Sequence, residues 1–101
     1  MTTDVRSVAP VAEPLRFVFL HGWSLGPAQW SPLVERLDAG SEVHHAVLPG
    51  HAGSPESPGW SVDSLATQLL EAQPPGIWIG GSLGGQVALA AAALAPEAVH
   101  G

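Results

Sequence analysis

The segment richest in chemistry is Gly80-Gly81-Ser82-Leu83-Gly84, a G-x-S-x-G pattern. The apolar run Ile77-Trp78-Ile79 precedes it, and an Ala- and Leu-rich stretch from Leu83 to Leu94 follows. A serine between a buried strand and a helix sits on a very tight turn. Side chains two residues before and two after it would collide, hence glycine at Gly80 and Gly84. The turn is expected to lift the Ser82 hydroxyl above the sheet. It also aims the Leu83 N–H at the position where negative charge develops during acyl transfer. The helix that follows adds the positive end of its dipole. Ser82 is therefore the candidate nucleophile. A Gly-rich turn of a nucleotide-binding fold would look different. A phosphate-binding loop starting at Gly76 would need lysine where Ser82 stands, the chain has no lysine, and no G-x-G-x-x-G occurs.

An acyl-transfer site needs a second donor on the developing oxyanion, and each such donor lowers the barrier by roughly 2.7–4 kcal/mol. Leu20-His21-Gly22-Trp23 directly follows the apolar run Phe17-Val18-Phe19-Leu20. Gly22 lets that loop turn sharply, so the Trp23 N–H can be the second donor while its indole lines an acyl pocket. The plainer alternative is that His21-Gly22 only ends a strand and Trp23 is core. His21 reads as structural and not as a base, because an imidazole at a strand end can satisfy loop backbone groups.

Other residues carry less. His44, His45 and His51 invite a metal reading, but neighbours on a strand point to opposite faces, so His44 and His45 cannot easily share one ion. They read as solvent-facing or capping histidines, and no metal site is expected. Trp60 and Trp78 read as packing residues. Glu35, Glu71 and Glu97 fall on solvated helix faces.

The elements that must position these residues alternate. Phe17–Leu20 reads as a buried strand. Trp30, Leu33, Val34 and Leu37 recur at helical spacing, with Ser31 as N-cap, Pro32 at the first helical position and Gly40 as the stop. Val43 to Leu48 is a second strand closed by Pro49-Gly50, and 50–59 is a Gly/Pro/Ser loop. Val62, Leu65, Ala66, Leu69 and Leu70 form the stripe of a helix with Ser61 as N-cap and Asp63 in its first turn. Pro74-Pro75-Gly76 ends that helix, Ile77–Ile79 is a third strand, and Leu83–Leu94 is a helix stopped by Pro96. Strand and helix in alternation give a mostly parallel sheet flanked by helices, an α/β fold.

Composition narrows the function. The chain has 101 residues, 46% hydrophobic and only 12% charged, as expected for one domain or part of one with strands buried on both faces. Its net charge is −6, and its only Lys or Arg residues are Arg6, Arg16 and Arg36. Nucleic acid and anionic membrane surfaces are therefore not expected as partners. No cysteine is present, so thiol and disulfide chemistry are excluded. Residues 1–14 lack the apolar core of a signal peptide and read as a frayed terminus or short edge strand. The longest apolar stretch, Val87 to Ala95, is too short to cross a bilayer. A cytoplasmic location is the expectation.

Phe19-Leu20-His21-Gly22-Trp23, Leu48-Pro49-Gly50-His51-Ala52-Gly53-Ser54 and Trp78-Ile79-Gly80-Gly81-Ser82-Leu83-Gly84-Gly85 together, in this order and spacing, resemble the N-terminal part of an α/β-hydrolase. The tryptophan after His-Gly and the elbow sequence look most like the pimeloyl-[acyl-carrier-protein] methyl ester esterase family of biotin synthesis. The resemblance runs from Arg16 onward. It implies Ser82 as nucleophile, and Trp23 and Leu83 as oxyanion donors that also contact substrate. It further implies hydrolysis of a methyl ester on a small-molecule or carrier-bound acyl chain, with no metal or organic cofactor. Val47 stands where the family often has Asp, and Ala52-Gly53-Ser54 where Gly-Arg-Ser is common. Both departures touch a supporting loop.

The triad order in such a fold is Ser, then Asp or Glu, then His. After Ser82 only Glu97 and His100 remain. The helix starting at the elbow carries them away at about 1.5 Å per residue, so His100 is expected more than roughly 15 Å off, where a base must come within about 3 Å. Acid and base are thus expected outside these 101 residues, and the chain alone is not expected to turn over. The Ile77–Ile79 strand is expected to leave an open apolar edge, making the isolated chain poorly folded or partner-dependent. Two other readings use the same residues. One is a truncated, non-catalytic remnant that binds a ligand or partner. The other is a different activity on this fold, such as a lyase, thioesterase or cofactor-free peroxidase.

Overall fold

In the computed structural model the described residues are 15–50 and 59–101. Three strands, β1 (Arg16–Leu20), β2 (Glu42–Ala46) and β3 (Ile77–Gly80), form one sheet in the order β2-β1-β3. Both pairings are parallel, with Phe17 opposite Val43 and Ile77, and Leu20 opposite Ala46 and Gly80. Parallel neighbours need crossovers, and helices supply them. A 3-10 turn (Pro27–Trp30) runs into the short α1 (Ser31–Val34) between β1 and β2. Helix α2 (Val62–Ala72) precedes β3, and α3 (Leu83–Leu94) follows it.

Strand periodicity of two sorts β1 onto two faces. Val18 and Leu20 join Ala46, Leu48 and Trp78 under Leu65, Ala66 and Leu69 of α2 and Val87 and Ala91 of α3. Phe19 turns to the other face, its ring 5.4 Å from that of Trp30 and 5.8 Å from that of His45. The Val18/Leu20 face is thus covered by two helices, whereas on the other face Phe19 is buried but Phe17, Ile77 and Ile79 are only partly buried and His45 is exposed.

Helix α2 starts where the sequence indicates, with a reciprocal cap. Ser61 Oγ accepts the Ser64 N–H, and Ser64 Oγ accepts the Ser61 N–H. Serine at the third helical position thus does the work that Glu or Gln does in the usual capping box. The helix before β2 differs from expectation. It begins earlier, at Pro27, after an extended Gly26, and Ser31 has helical dihedrals instead of capping. It also ends early. Beyond Val34 the chain continues through i→i+3 bonds, Arg36 N–H to Leu33 O and Leu37 N–H to Val34 O, so Gly40 is not its stop. Pro27 explains the shift, because proline favours a first helical turn at its own position.

The far edge of β3 is also not as expected. Residues 98–101 run alongside it: Ala98 O accepts the Gly76 N–H at 2.9 Å, Gly76 O accepts the His100 N–H at 2.7 Å, and Gly101 O accepts the Trp78 N–H at 2.9 Å. Gly76 and Val99 form a parallel bridge. The backbone groups at the start of that edge are satisfied, which removes part of the aggregation hazard. Residues 1–14 and the loop 51–58, including His51 and Ala52-Gly53-Ser54, lie outside the described residues. No described helix is long and apolar enough to cross a membrane.

Candidate active site

Because all three strands are parallel, their carboxyl ends lie along one edge of the sheet, where open α/β sheets bind ligands. Two chain segments meet there. One leaves β1 as His21-Gly22-Trp23, and the other leaves β3 as Gly81-Ser82-Leu83. The Gly81 N–H donates to Leu20 O at 3.2 Å, tying the two exits together. A Cβ built on Gly22 would stand 3.4 Å from Gly81 O and 3.6 Å from Ser82 Cβ.

Ser82 has φ 53° and ψ −116°, a conformation almost reserved for glycine. It is the residue immediately before α3, and its carbonyl accepts the Gln86 N–H at 3.1 Å. Its hydroxyl makes no helix cap and its side chain is exposed. The neighbouring glycines explain how the turn is held. A Cβ on Gly80 would overlap the carbonyl of Gly84, and a Cβ on Gly84 would overlap the Leu20 carbonyl and stand 2.6 Å from His21 O. Gly84 is buried, so the first turn of α3 rests directly on the end of β1. Among the described residues no backbone carbonyl takes the Leu83 N–H. It is one of the orphan donors that every helix N-terminus leaves.

The β1 loop is held at several points. His21 is fully buried. Its Nε2 accepts the Leu48 N–H at 3.0 Å and its Nδ1 lies 2.9 Å from Gly22 O. Only the tautomer with the proton on Nδ1 satisfies both bonds. That is the structural use expected for His21, and it removes this imidazole from consideration as a base. Gly22 O also accepts the Leu25 N–H at 3.1 Å, closing a four-residue turn in which Ser24 has φ 64°. A positive φ at the third turn position usually calls for glycine, so Ser24 gave no sequence signal. Gln29 Oε1 accepts the Gly22 N–H at 2.9 Å, a contact the sequence did not indicate.

Trp23 and Trp60 are exposed and lie with ring centroids 5.7 Å apart. Of the two tryptophans read as packing residues, Trp78 is buried in the core, whereas Trp60 is exposed and packs against Trp23. His44 and His45 diverge as strand neighbours should. His45 packs on Phe19, and His44 Nε2 lies 2.6 Å from Glu42 Oε2. Arg16 Nε reaches the same carboxylate oxygen at 2.6 Å. These two partners hold the Glu42 carboxyl below the usual range, Arg16 first and His44 second. This cluster does not join the elbow. Nor does His100, which pairs with Gly76 at the opposite end of β3. Glu35, Glu71 and Glu97 are exposed. Of the sequence-predicted site residues, Ser82, Trp23, Leu83, Gly80 and Gly84 are thus brought together at one edge, and the remaining candidates are not.

Comparison with known proteins agrees with this geometry. A family model described as alpha/beta hydrolase matches residues 17–101. Pimeloyl-[acyl-carrier protein] methyl ester esterases are similar to the chain. That of Methylococcus capsulatus is 45% identical over 83 residues, covering 81% of this chain and 33% of the relative. That of Xanthomonas oryzae pv. oryzae is 42% identical over 81 residues, covering 79% and 32%. That of Vibrio vulnificus is 44% identical over 72 residues, covering 70% and 28%. The chain therefore spans about a third of the length of these relatives. A solved extracellular alpha/beta-hydrolase from a Paenibacillus species superposes with a TM-score of 0.68 at 21% identity, over 85% of this chain and 38% of that one. With a parallel sheet, a strained serine between β3 and α3, and a family model that matches nearly all of the described residues, the chain belongs to the alpha/beta hydrolase family.

Proposed function

We propose that this chain is the nucleophile-bearing part of a serine carboxylic-ester hydrolase. The single observation that carries the reading is Ser82 at φ 53°, ψ −116°, exposed at the N-terminus of α3 and next to the Gly22-Trp23 loop. A glycine-like conformation on a serine costs stability and persists where its geometry is used. Ser82 Oγ attacks the ester carbonyl carbon and gives its proton to a base. The carbonyl oxygen becomes an oxyanion that accepts the Leu83 N–H and the Trp23 N–H. Collapse of this intermediate expels the alcohol and leaves an acyl-serine. Water then attacks the acyl-serine and releases the carboxylate. The steps need no metal or organic cofactor.

The base and its acid partner come from outside the described residues. His21 has both ring nitrogens in hydrogen bonds, and His100 lies at the wrong end of β3. The names of the similar esterases favour a methyl ester on a carrier-bound pimeloyl chain, hence a step in biotin synthesis and a cytoplasmic setting. The apolar faces of Trp23 and Trp60 suit the methylenes of such a chain.

The test uses the polypeptide carrying this chain at its full encoded length. A fluorophosphonate should form an adduct at Ser82, and Ser82→Ala should lose both adduct and hydrolysis of the pimeloyl-carrier methyl ester. Ester hydrolysis that survives Ser82→Ala would overturn the assignment. A chimera carrying residues 17–101 in place of the matching third of the Methylococcus relative gives the same readout in a frame that supplies the remaining residues.

A further inference from the structure

Gln29 joins the oxyanion loop to the elbow, and neither motif contains it. Its Oε1 accepts the Gly22 N–H at 2.9 Å. Its Nε2 lies over Gly81, 2.8 Å from where a Cβ on that residue would be. Trp30, beside it in the chain, packs over the same glycine, with ring carbons at 3.4 and 3.6 Å from that Cβ position. The missing side chain at Gly81 is therefore the room in which the Gln29 amide lies. Gly81 has no positive φ, so its backbone does not itself demand glycine. A methyl group there would displace the end of the Gln29 side chain from its place beside Gly22.

The peptide that Gln29 braces is one step from the reacting atoms. Gly22 donates one hydrogen bond from its N–H and accepts others at its carbonyl. Gln29 takes its N–H, while Leu25 N–H and His21 Nδ1 meet its carbonyl. The Gly22 carbonyl and the Trp23 N–H belong to one planar trans peptide, in which they point in opposite directions. Whatever fixes the Gly22 carbonyl also aims the Trp23 N–H. We propose that Gln29 is a positioning residue that locks the His21-Gly22 peptide against the Ser82 elbow, so that the next peptide, already held at the Gly22 carbonyl by Leu25 and His21, keeps its Trp23 N–H aimed, and that Gly81 leaves room for Gln29. The proposal rests on the hydrolase reading of Ser82, because the donor it aims serves an oxyanion.

The expected consequence is a loss in kcat at constant KM. An interaction that sharpens a donor used only in the transition state does not strengthen substrate binding. Gln29 is exposed, so its hydrogen bond competes with water, and the loss is expected to be about threefold to tenfold. The experiment compares Gln29→Met, Gln29→Glu, Gly81→Ala and the Met/Ala double variant in the full encoded polypeptide. Turnover is read on p-nitrophenyl acetate, and hydrogen exchange of the Gly22 amide is read by NMR. Gln29→Met, close in length but without the amide acceptor, should lower kcat, leave KM within about twofold and speed Gly22 exchange about tenfold. Gln29→Glu keeps an acceptor and should restore Gly22 protection. That rescue is read on exchange and not on turnover, because a carboxylate there opposes the developing negative charge. Gly81→Ala should resemble Gln29→Met, and the double variant should be no worse than either single one.

Unchanged Gly22 protection in Gln29→Met would overturn the proposal. So would a rise in KM at constant kcat, which would make Gln29 a substrate contact. Strict additivity of the Gln29 and Gly81 changes would overturn the link between them. Failure of the hydrolase reading is distinguishable. In that case the unsubstituted protein shows neither turnover nor a phosphonate adduct at Ser82, while amide exchange still decides whether Gln29 holds the loop.

Discussion

Ser82→Gly should leave the protein more stable than Ser82→Ala does. Both substitutions remove the hydroxyl, and the structure gives that hydroxyl no cap to lose. The backbone separates them. At φ 53° and ψ −116° a Cβ is crowded by the neighbouring peptide groups, and alanine keeps that strain in full. A residue held in such a region costs roughly 1–3 kcal/mol, which glycine releases. Glycine also gains freedom in the unfolded chain, which takes back roughly 0.5–1 kcal/mol. The net advantage of Gly over Ala is therefore about 1 kcal/mol, within a span of roughly 0–2.5 kcal/mol.

Urea titration of both variants in the full encoded polypeptide measures this directly, provided the slope is the same for each. Neither variant has the hydroxyl proposed as nucleophile, so activity does not enter the comparison. If Ser82→Gly is no more stable than Ser82→Ala, the strain argument fails and the serine's conformation has no measurable cost. Gly81 N–H to Leu20 O, Gly84 N–H to Gly81 O and Gln86 N–H to Ser82 O hold the turn on every side. The stored strain cannot relax without breaking one of these bonds.

Gly84→Ala should destabilise by about 1–3 kcal/mol or more, as overpacking does, since the new Cβ has only the Leu20 and His21 carbonyls to displace. Phosphonate labelling at Ser82 should slow with it, because α3 and the Leu83 N–H must move off β1. His21→Ala removes the partner of the Leu48 N–H and one partner of Gly22 O, at about 1–3 kcal/mol for each buried group left unsatisfied. Denaturation at fixed pH reads it, and a loss below about 1 kcal/mol would contradict the bracing role given to this imidazole. Glu42→Gln should flatten the acid limb of the stability profile. The folded-state pKa of Glu42 is depressed by Arg16 and His44, so its contribution is present above the ordinary carboxylate pKa and is lost as pH falls through the depressed value. Stability profiles of the Glu42→Gln variant and the unsubstituted protein that keep a constant offset from neutral pH down through the acid range would contradict this. The carboxylate is exposed, so salt should weaken the effect.

What could be read from the sequence was what depends on neighbours in the chain. The α3 span, Leu83–Leu94, follows from its Ala-rich composition and Pro96, and the Ser61 cap from a serine before a regular stripe. The elbow was legible for the same reason. Two glycines, a serine and the elements on either side lie within a few residues, and the steric argument needs nothing else. The α1 boundary was misread because two competing signals stand close together. Ser31-Pro32 makes a good start, but Pro27 makes an earlier one, and packing of Trp30 on Phe19 favours the earlier.

What could not be read depends on residues far apart in the chain or on atoms that a motif does not encode. Arg16 and Glu42 are 26 positions apart and meet only because β1 and β2 pair in parallel. Leu48 reaches His21 across 27 positions. The Gln29 bond to Gly22 spans only seven positions, yet no periodicity marks it, since a side-chain amide meeting a loop N–H leaves no pattern in hydrophobicity. Ser24 adopts a glycine conformation without being glycine, so the turn that aims the Gly22 carbonyl is invisible to a search for turn residues. The sequence therefore names the proposed reacting serine, its elbow glycines and a structural His21, while the partners of His21 and the Gln29 contact emerge only from the fold. If that division is right, variants at His21 and Gln29 should change how well the Trp23 N–H is aimed and leave the Ser82 backbone as it is. A glycine-like φ and ψ retained at position 82 in crystals of both variants would separate the two roles.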